Sequence, residues 1–300
     1  DARVVAQRFS PLGVVTVVDS PLAPLRHAPG LSLNAAAGPP PQFGLFIDGQ
    51  AAGALTRYDG DLAPLGYLAD TTAALPYRLL DHPRVLVLGA GAGGDVLQAL
   101  VHGARRIDAV ELDAQVVALV QQDLAAFSGR PYDAPGVRLH VGEARGFVAA
   151  SREDYDLIHV ALLDAFGSSA AGLGALSESH LYTVEALQAY LARLAPGGLL
   201  AITRWVALPP RDSLRLFATA VAALERRGVA APGHALALIR SWNTVTLLVR
   251  NGGFSAAEVA TIAEFARERS FDTAYLPGIV AADANVFNIL ERDDYYAATQ

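Results

Sequence analysis

The run Val85-Leu86-Val87-Leu88 passes directly into Gly89-Ala90-Gly91-Ala92-Gly93-Gly94 and then into an amphipathic stretch that begins at Asp95. A buried strand, a glycine turn and a helix start in that order restrict the fold more than any other segment of the chain. Small residues let the backbone approach a ligand closely, and the helix N-terminus offers free amide donors. The segment predicts the opening of a Rossmann-like α/β domain, with Gly89, Gly91, Gly93 and Gly94 as cofactor-binding residues.

A second strand about twenty residues on ends in Glu111-Leu112-Asp113, which puts carboxylates where they can accept the hydroxyls of a ribose. Nicotinamide enzymes use the same arrangement, so the third strand has to discriminate. It reads Val137-Arg138-Leu139-His140-Val141 and is followed by Gly142-Glu143-Ala144. An acid and a small residue at that point are where Rossmann-like transferases recognise adenine. Glu111, Asp113, Glu143 and Ala144 therefore join the glycines as expected cofactor contacts. An adenosyl sulfonium compound is favoured over NAD, and a tight turn with solvated carboxylates is the plain alternative.

From residue 84 onward, apolar runs of strand length alternate with stretches of i, i+3, i+4 apolar spacing, as in a parallel sheet covered on both faces. Strands are expected at 85–88, 107–111, 138–141, 157–161, 199–203, 235–240 and 244–249. Helices are expected at 95–102, 114–127, 183–194, 211–227 and 256–269, with Pro196-Gly197-Gly198 as the stop of one of them. The fold class is a doubly wound sheet of about seven strands. Residues 1–65 read instead as a small β-hairpin or meander domain, residues 28–42 as a mobile loop, and residues 66–80 as a helix that opens the 66–300 domain.

Of the 300 residues, 52% are hydrophobic and 18% charged, enough apolar material for a large core, and the longest apolar runs are too short to span a bilayer. A net charge of -7 without a basic stripe argues against nucleic acid as a partner. There is no cysteine, and the seven histidines lack metal-ligand spacing, so no metal is expected and each histidine reads as a surface or satisfied polar residue. A chain that opens on Asp1 and contains no methionine reads as a piece of a longer or processed protein.

Several segments together resemble the spermidine synthase family of aminopropyltransferases. They are Ser10-Pro11, Phe46-Ile47-Asp48-Gly49, the glycine run, Val110-Glu111-Leu112-Asp113, Gly142-Glu143-Ala144, Tyr155-Asp156-Leu157-Ile158 and Leu194-Ala195-Pro196-Gly197-Gly198. A bacterial spermidine-synthase-like branch, often carrying membrane segments ahead of this domain, is similar at residues 176–186, at Ile202-Thr203-Arg204-Trp205 and at Tyr275-Leu276-Pro277-Gly278. The resemblance implies a transferase that takes S-adenosylmethionine or its decarboxylated form and a small-molecule acceptor, an amine or other nucleophile. It also implies a cytoplasmic location, as a free protein or as the soluble domain of a membrane protein with segments upstream, and it allows for a homodimer.

By the same resemblance, Asp164 matches the second acid of the catalytic loop, while Asp48, Tyr67, Glu178, Tyr182 and Arg204 stand near the acceptor. Asp164 also suits a loop cap, and Tyr182 a core position. Two family acids are missing, with Ala92 in the glycine loop and Ala161 after the fourth strand in their places. Aminopropyl transfer needs carboxylates to hold a cationic amine and take its proton. The substitutions keep two alternatives open: a methyltransferase using the ordinary donor, and a non-catalytic ligand-sensing domain.

Overall fold

The computed structural model describes residues 2–163 and 180–300. At the start of the chain the β-branched runs pair as an antiparallel meander of β1 (Arg3–Ser10), β2 (Gly13–Asp19), β3 (Gln42–Ile47) and β4 (Gln50–Thr56), in that spatial order. Asp48 and Gly49 turn β3 into β4, and the Asp48 carboxylate accepts the Val14 amide at 2.8 Å, which ties this turn to β2. Alternation along these strands buries Val15, Val17, Leu45 and Leu55, which share one core with Leu75, Val85, Val87 and Leu157.

Between β2 and β3 the proline- and glycine-rich segment is fastened rather than loose. Leu31 bridges to Thr71, the Gly30 amide donates to Asn243 Oδ1, and the Ser32 hydroxyl donates to the Arg269 carbonyl. Proline and glycine there mark dense turning, and side-chain bonds supply the anchoring that composition does not reveal. The expected helix over 66–80 is likewise broken into 3-10 turns at Ala63–Asp70 and Thr72–Ala74, followed by α1 (Leu75–Leu79). Pro64 and Pro76 each sit at a helical start, where their missing N–H costs nothing.

The larger sheet contains β5 (Arg84–Leu88), β6 (Arg106–Glu111), β7 (Val137–Val141), β8 (Tyr155–Val160), β9 (Leu194–Trp205), β10 (Leu236–Arg240), β11 (Thr244–Arg250) and β12 (Asp272–Tyr275). Its order is β12-β10-β11-β9-β8-β5-β6-β7, with β5 to β9 parallel and β11 inserted antiparallel between β9 and β10. The eighth strand, β12, was not expected: four residues with two polar ones give too little periodicity to be read.

Helices α2 (Gly94–Val101), α3 (Ala114–Ala118), α4 (Ala125–Ser128), α5 (Ala144–Ala150), α6 (Val184–Ala192), α7 (Arg211–Arg226), α8 (Ala256–Glu268) and α9 (Asp294–Ala297) complete the chain. Alternate residues of β5 face two cores. Val85 and Val87 meet α2, α3 and α8, whereas Leu86 and Leu88 meet α5, α6 and α7. That is a doubly wound layer structure. The single helix expected at 114–127 is interrupted by a π turn at Leu119–Asp123, closed by the Leu124 amide bonding the Leu119 carbonyl. Pro196-Gly197-Gly198 lies inside β9, and α6 has already ended at Ala192.

Strand order reverses between β5 and β8, because the chain leaves β5 towards β6 and β7 and later resumes on the other side. In open α/β sheets such a switch point opens a crevice at the carboxyl ends of the strands. The glycine run and the ends of β6, β7 and β8 meet there.

Candidate active site

The turn after β5 is pinned to β6, with the Gly89 and Ala90 amides both donating to the Val110 carbonyl at 2.9 and 3.0 Å. Two of the four glycines answer to packing. Gly89 and Gly93 hold left-handed φ values of 83° and 91°, and a Cβ would strike Leu163 in the first case and Pro131, at 2.7 Å, in the second. The other two leave room. A Cβ on Gly91 would meet nothing nearer than the Gly89 carbonyl at 3.9 Å, and one on Gly94 would meet nothing within 4 Å. Open space over Gly91 and Gly94, next to the first turn of α2, is the shape a closely approaching ligand needs.

Glu111, at the end of β6 and 8% exposed, reaches the glycine turn at Gly91. Its Oε2 accepts the Gly91 amide at 2.7 Å and its Oε1 accepts the Asp113 amide at 2.8 Å, so one carboxylate joins the glycine turn to the start of α3. Burial pushes the Glu111 carboxyl above the usual carboxylate range, against the pull of these amides. Asp113 caps α3, with Oδ1 accepting the Gln115 amide at 2.8 Å, while its Oδ2 accepts the Ser10 hydroxyl at 2.8 Å. Glu143 caps α5 through the Arg145 and Gly146 amides, and Ala144 is the first residue of that helix.

Tyr132 completes the turn and was not anticipated. Its hydroxyl donates to the Gly91 carbonyl at 2.6 Å, and burial together with the nearby Glu111 charge raises its pKa well above the ordinary phenol value. The sequence Gly129-Arg130-Pro131-Tyr132 looks like a connecting loop, and nothing in its spacing marks a tyrosine folded back onto a glycine turn 41 residues earlier.

The acceptor-side residues scatter more widely. Tyr67 is 5% exposed in a small cluster with Leu65, Leu68 and Leu97, where burial raises its pKa and the Thr56 side chain opposes the shift. Asp48 stays in its hairpin turn. At the end of β9, Arg204 lies over the Tyr182 ring at 4.4 Å, and Trp205 meets His27 edge to face with centroids 6.4 Å apart. Asp164 and Glu178 lie outside the described residues. One histidine departs from expectation: His159 is buried in β8 rather than being a surface or satisfied residue.

Residues 69–204 match the family model described as spermine/spermidine synthase domain. That stretch, a little under half of the chain, is similar to the spermidine synthase family. Among curated relatives, the polyamine aminopropyltransferase of Korarchaeum cryptofilum is 29% identical over 136 residues, covering 45% of this chain and 40% of that protein. That of Pectobacterium atrosepticum is 30% identical over 138 residues, or 45% of each. The chain thus spans less than half the length of these relatives.

Solved spermidine synthases share the fold across the whole chain. One, in complex with the transition-state analogue AdoDATO, aligns at a TM-score of 0.60 with 15% identity, over 99% of this chain and 87% of that one. The Thermotoga maritima enzyme aligns at 0.58 with 15% identity, over 99% and 84%. The matched segment 69–204 contains the glycine turn, the end of β6 and the end of β8. No described helix is long and apolar enough to cross a membrane.

Proposed function

We propose that the chain is a transferase that binds decarboxylated S-adenosylmethionine, or S-adenosylmethionine itself, at the carboxyl ends of β5, β6 and β7 and passes its sulfonium-bound group to an amine. One observation carries this reading: Glu111 spans the glycine turn and the α3 start, beside two glycines whose missing Cβ atoms leave open space. A carboxylate with lone pairs to spare suits paired ribose hydroxyls, and bare backbone suits a bulky, cationic donor. The sulfonium supplies a carbon activated for displacement, and the protein's share is to hold that carbon in line with a neutral nucleophile while water is kept away.

Polyamines are the acceptors that the curated relatives' names suggest, and aminopropyl transfer is the first expectation. Methyl transfer is the second reading, favoured by Ala92 and Ala161, the latter only 3% exposed, at positions where the family resemblance places acids. Calorimetry with both sulfonium donors and NAD tests the nucleoside reading, and failure of both donors to bind overturns it. A product assay with putrescine and spermidine then separates aminopropyl transfer from methyl transfer. Binding without turnover of any amine favours a sensing role.

A further inference from the structure

Mid-strand in β8, between Val87 of β5 and Ala201 of β9, His159 is 1% exposed. Its Nε2 stands 3.3 Å from Asp95 Oδ1 in the first turn of α2, while its Nδ1 is buried without a hydrogen-bond partner. An apolar β-branched residue would fill this slot between Ile158 and Val160. An unpaired buried nitrogen instead costs about 1–3 kcal/mol. A purely structural role leaves that cost unanswered.

At its other end the pair is accessible. The Asp95 side chain is 29% exposed and directly follows Gly94, one of the two glycines with open space above it. Behind the larger effect of burial, its charge acts upward on the pKa values of His27, Tyr77 and Tyr132. Ala161 directly follows β8, two residues beyond His159, and Ala92 precedes Asp95 by three residues. The Asp95 to His159 pair thus joins the two segments in which the family's acids are absent.

We propose that Asp95 is the acceptor-amine site, with His159 as the positioning residue that holds it, an inference that rests on reading the chain as a sulfonium-dependent transferase. The amine's lone pair forms the C–N bond to the carbon attached to sulfur. The C–S bond breaks and its electron pair returns to sulfur, leaving a neutral thioether. The new ammonium then passes one proton to an Asp95 oxygen, while His159 Nε2 keeps the carboxylate oriented.

The test uses the full chain. Putrescine and spermidine are titrated into protein saturated with 5′-methylthioadenosine, and transfer from decarboxylated S-adenosylmethionine is followed separately. Asp95→Asn is expected to keep nucleoside binding within about twofold while weakening amine binding about tenfold or more, since a charge-assisted contact is lost. His159→Gln, which retains an amide donor near Asp95, is expected to keep most of the amine affinity, whereas His159→Val lowers kcat more than it raises the amine KM. If Asp95→Asn does not fold, Asp95→Glu, with its carboxylate displaced by one methylene, is expected to show the same loss of amine affinity with nucleoside binding kept.

Amine binding unchanged in either Asp95 variant overturns the proposal, as does the absence of amine binding by the nucleoside-loaded wild type. Absence of nucleoside binding overturns the reading on which it rests, and amine titration of the free wild type and Asp95→Asn then decides Asp95 by itself.

Discussion

The Tyr132 hydroxyl donates to the Gly91 carbonyl over 2.6 Å while Glu111 accepts the Gly91 amide over 2.7 Å, so a single glycine is held at both ends of its peptide by side chains from separate elements. The turn is therefore set before any ligand arrives. Tyr132→Phe leaves the Gly91 carbonyl without that donor and is expected to lower unfolding free energy by about 1–2 kcal/mol, measured by urea denaturation. Nucleoside affinity falls with it in calorimetry, because the turn loses its preset shape.

The glycine run divides into two kinds of position, and alanine tells them apart. Gly94→Ala meets no atom within 4 Å and sits in a helical conformation, so its stability is expected to stay the same or rise by up to about 0.5–1 kcal/mol, while donor binding weakens. Gly93→Ala meets Pro131 and a left-handed φ of 91°, and is expected to lose about 1–3 kcal/mol. Thermal melts beside donor titrations read both. Equal stability loss in the two variants would contradict the assignment.

Burial raises the Glu111 carboxyl pKa, so the folded chain holds this proton more tightly than the unfolded one. The associated stability is fully present below the ordinary carboxylate range and is lost as pH climbs through that range to the raised value. Glu111→Gln cannot ionise and is expected to show a flatter profile over this window. Wild type and variant then draw closer in stability as pH rises, in denaturation curves taken from pH 4 upward.

Ser10→Ala removes the hydroxyl that occupies Asp113 Oδ2 and is expected to cost about 0.5–1.5 kcal/mol. Arg8→Ala removes the paired contacts to Asp123 at 2.7 Å on the same side of the hairpin, a partly exposed pair worth at most about 1 kcal/mol. Arg8 also donates to Gln115 Oε1 of α3 at 3.1 Å, next to the cap that Ser10 contacts, so a double-mutant cycle by thermal denaturation should show coupling between them.

How far residues announce their own surroundings depends on what holds them. Gly89 to Gly94, Glu111 and Glu143 were readable because strand-turn-helix order and local capping dictate where those groups point. The eight-stranded sheet was legible wherever burial on both faces forced continuous apolar runs, and β12 was missed because two of its four residues, Asp272 and Thr273, are polar although buried. Tyr132, the Ser10 contact and the His159 to Asp95 pair depend on approaches between residues 41, 103 and 64 positions apart, respectively, a distance over which periodicity carries no signal. The tethered segment 28–42 was misread for the same reason: its anchors, Asn243 and Arg269, lie more than two hundred residues away.

The hairpin of β1 and β2 reaches the α3 cap at the very carboxylate that neighbours Glu111. A shortened chain starting near residue 60 would therefore lose more than an appendage. It would free one oxygen of Asp113 and strip Val15, Val17, Leu45 and Leu55 from the core that backs β5. Anyone trimming this protein for study, or grafting its larger sheet onto another partner, has to carry the meander along, because the first sixty residues are part of the floor on which the crevice is built.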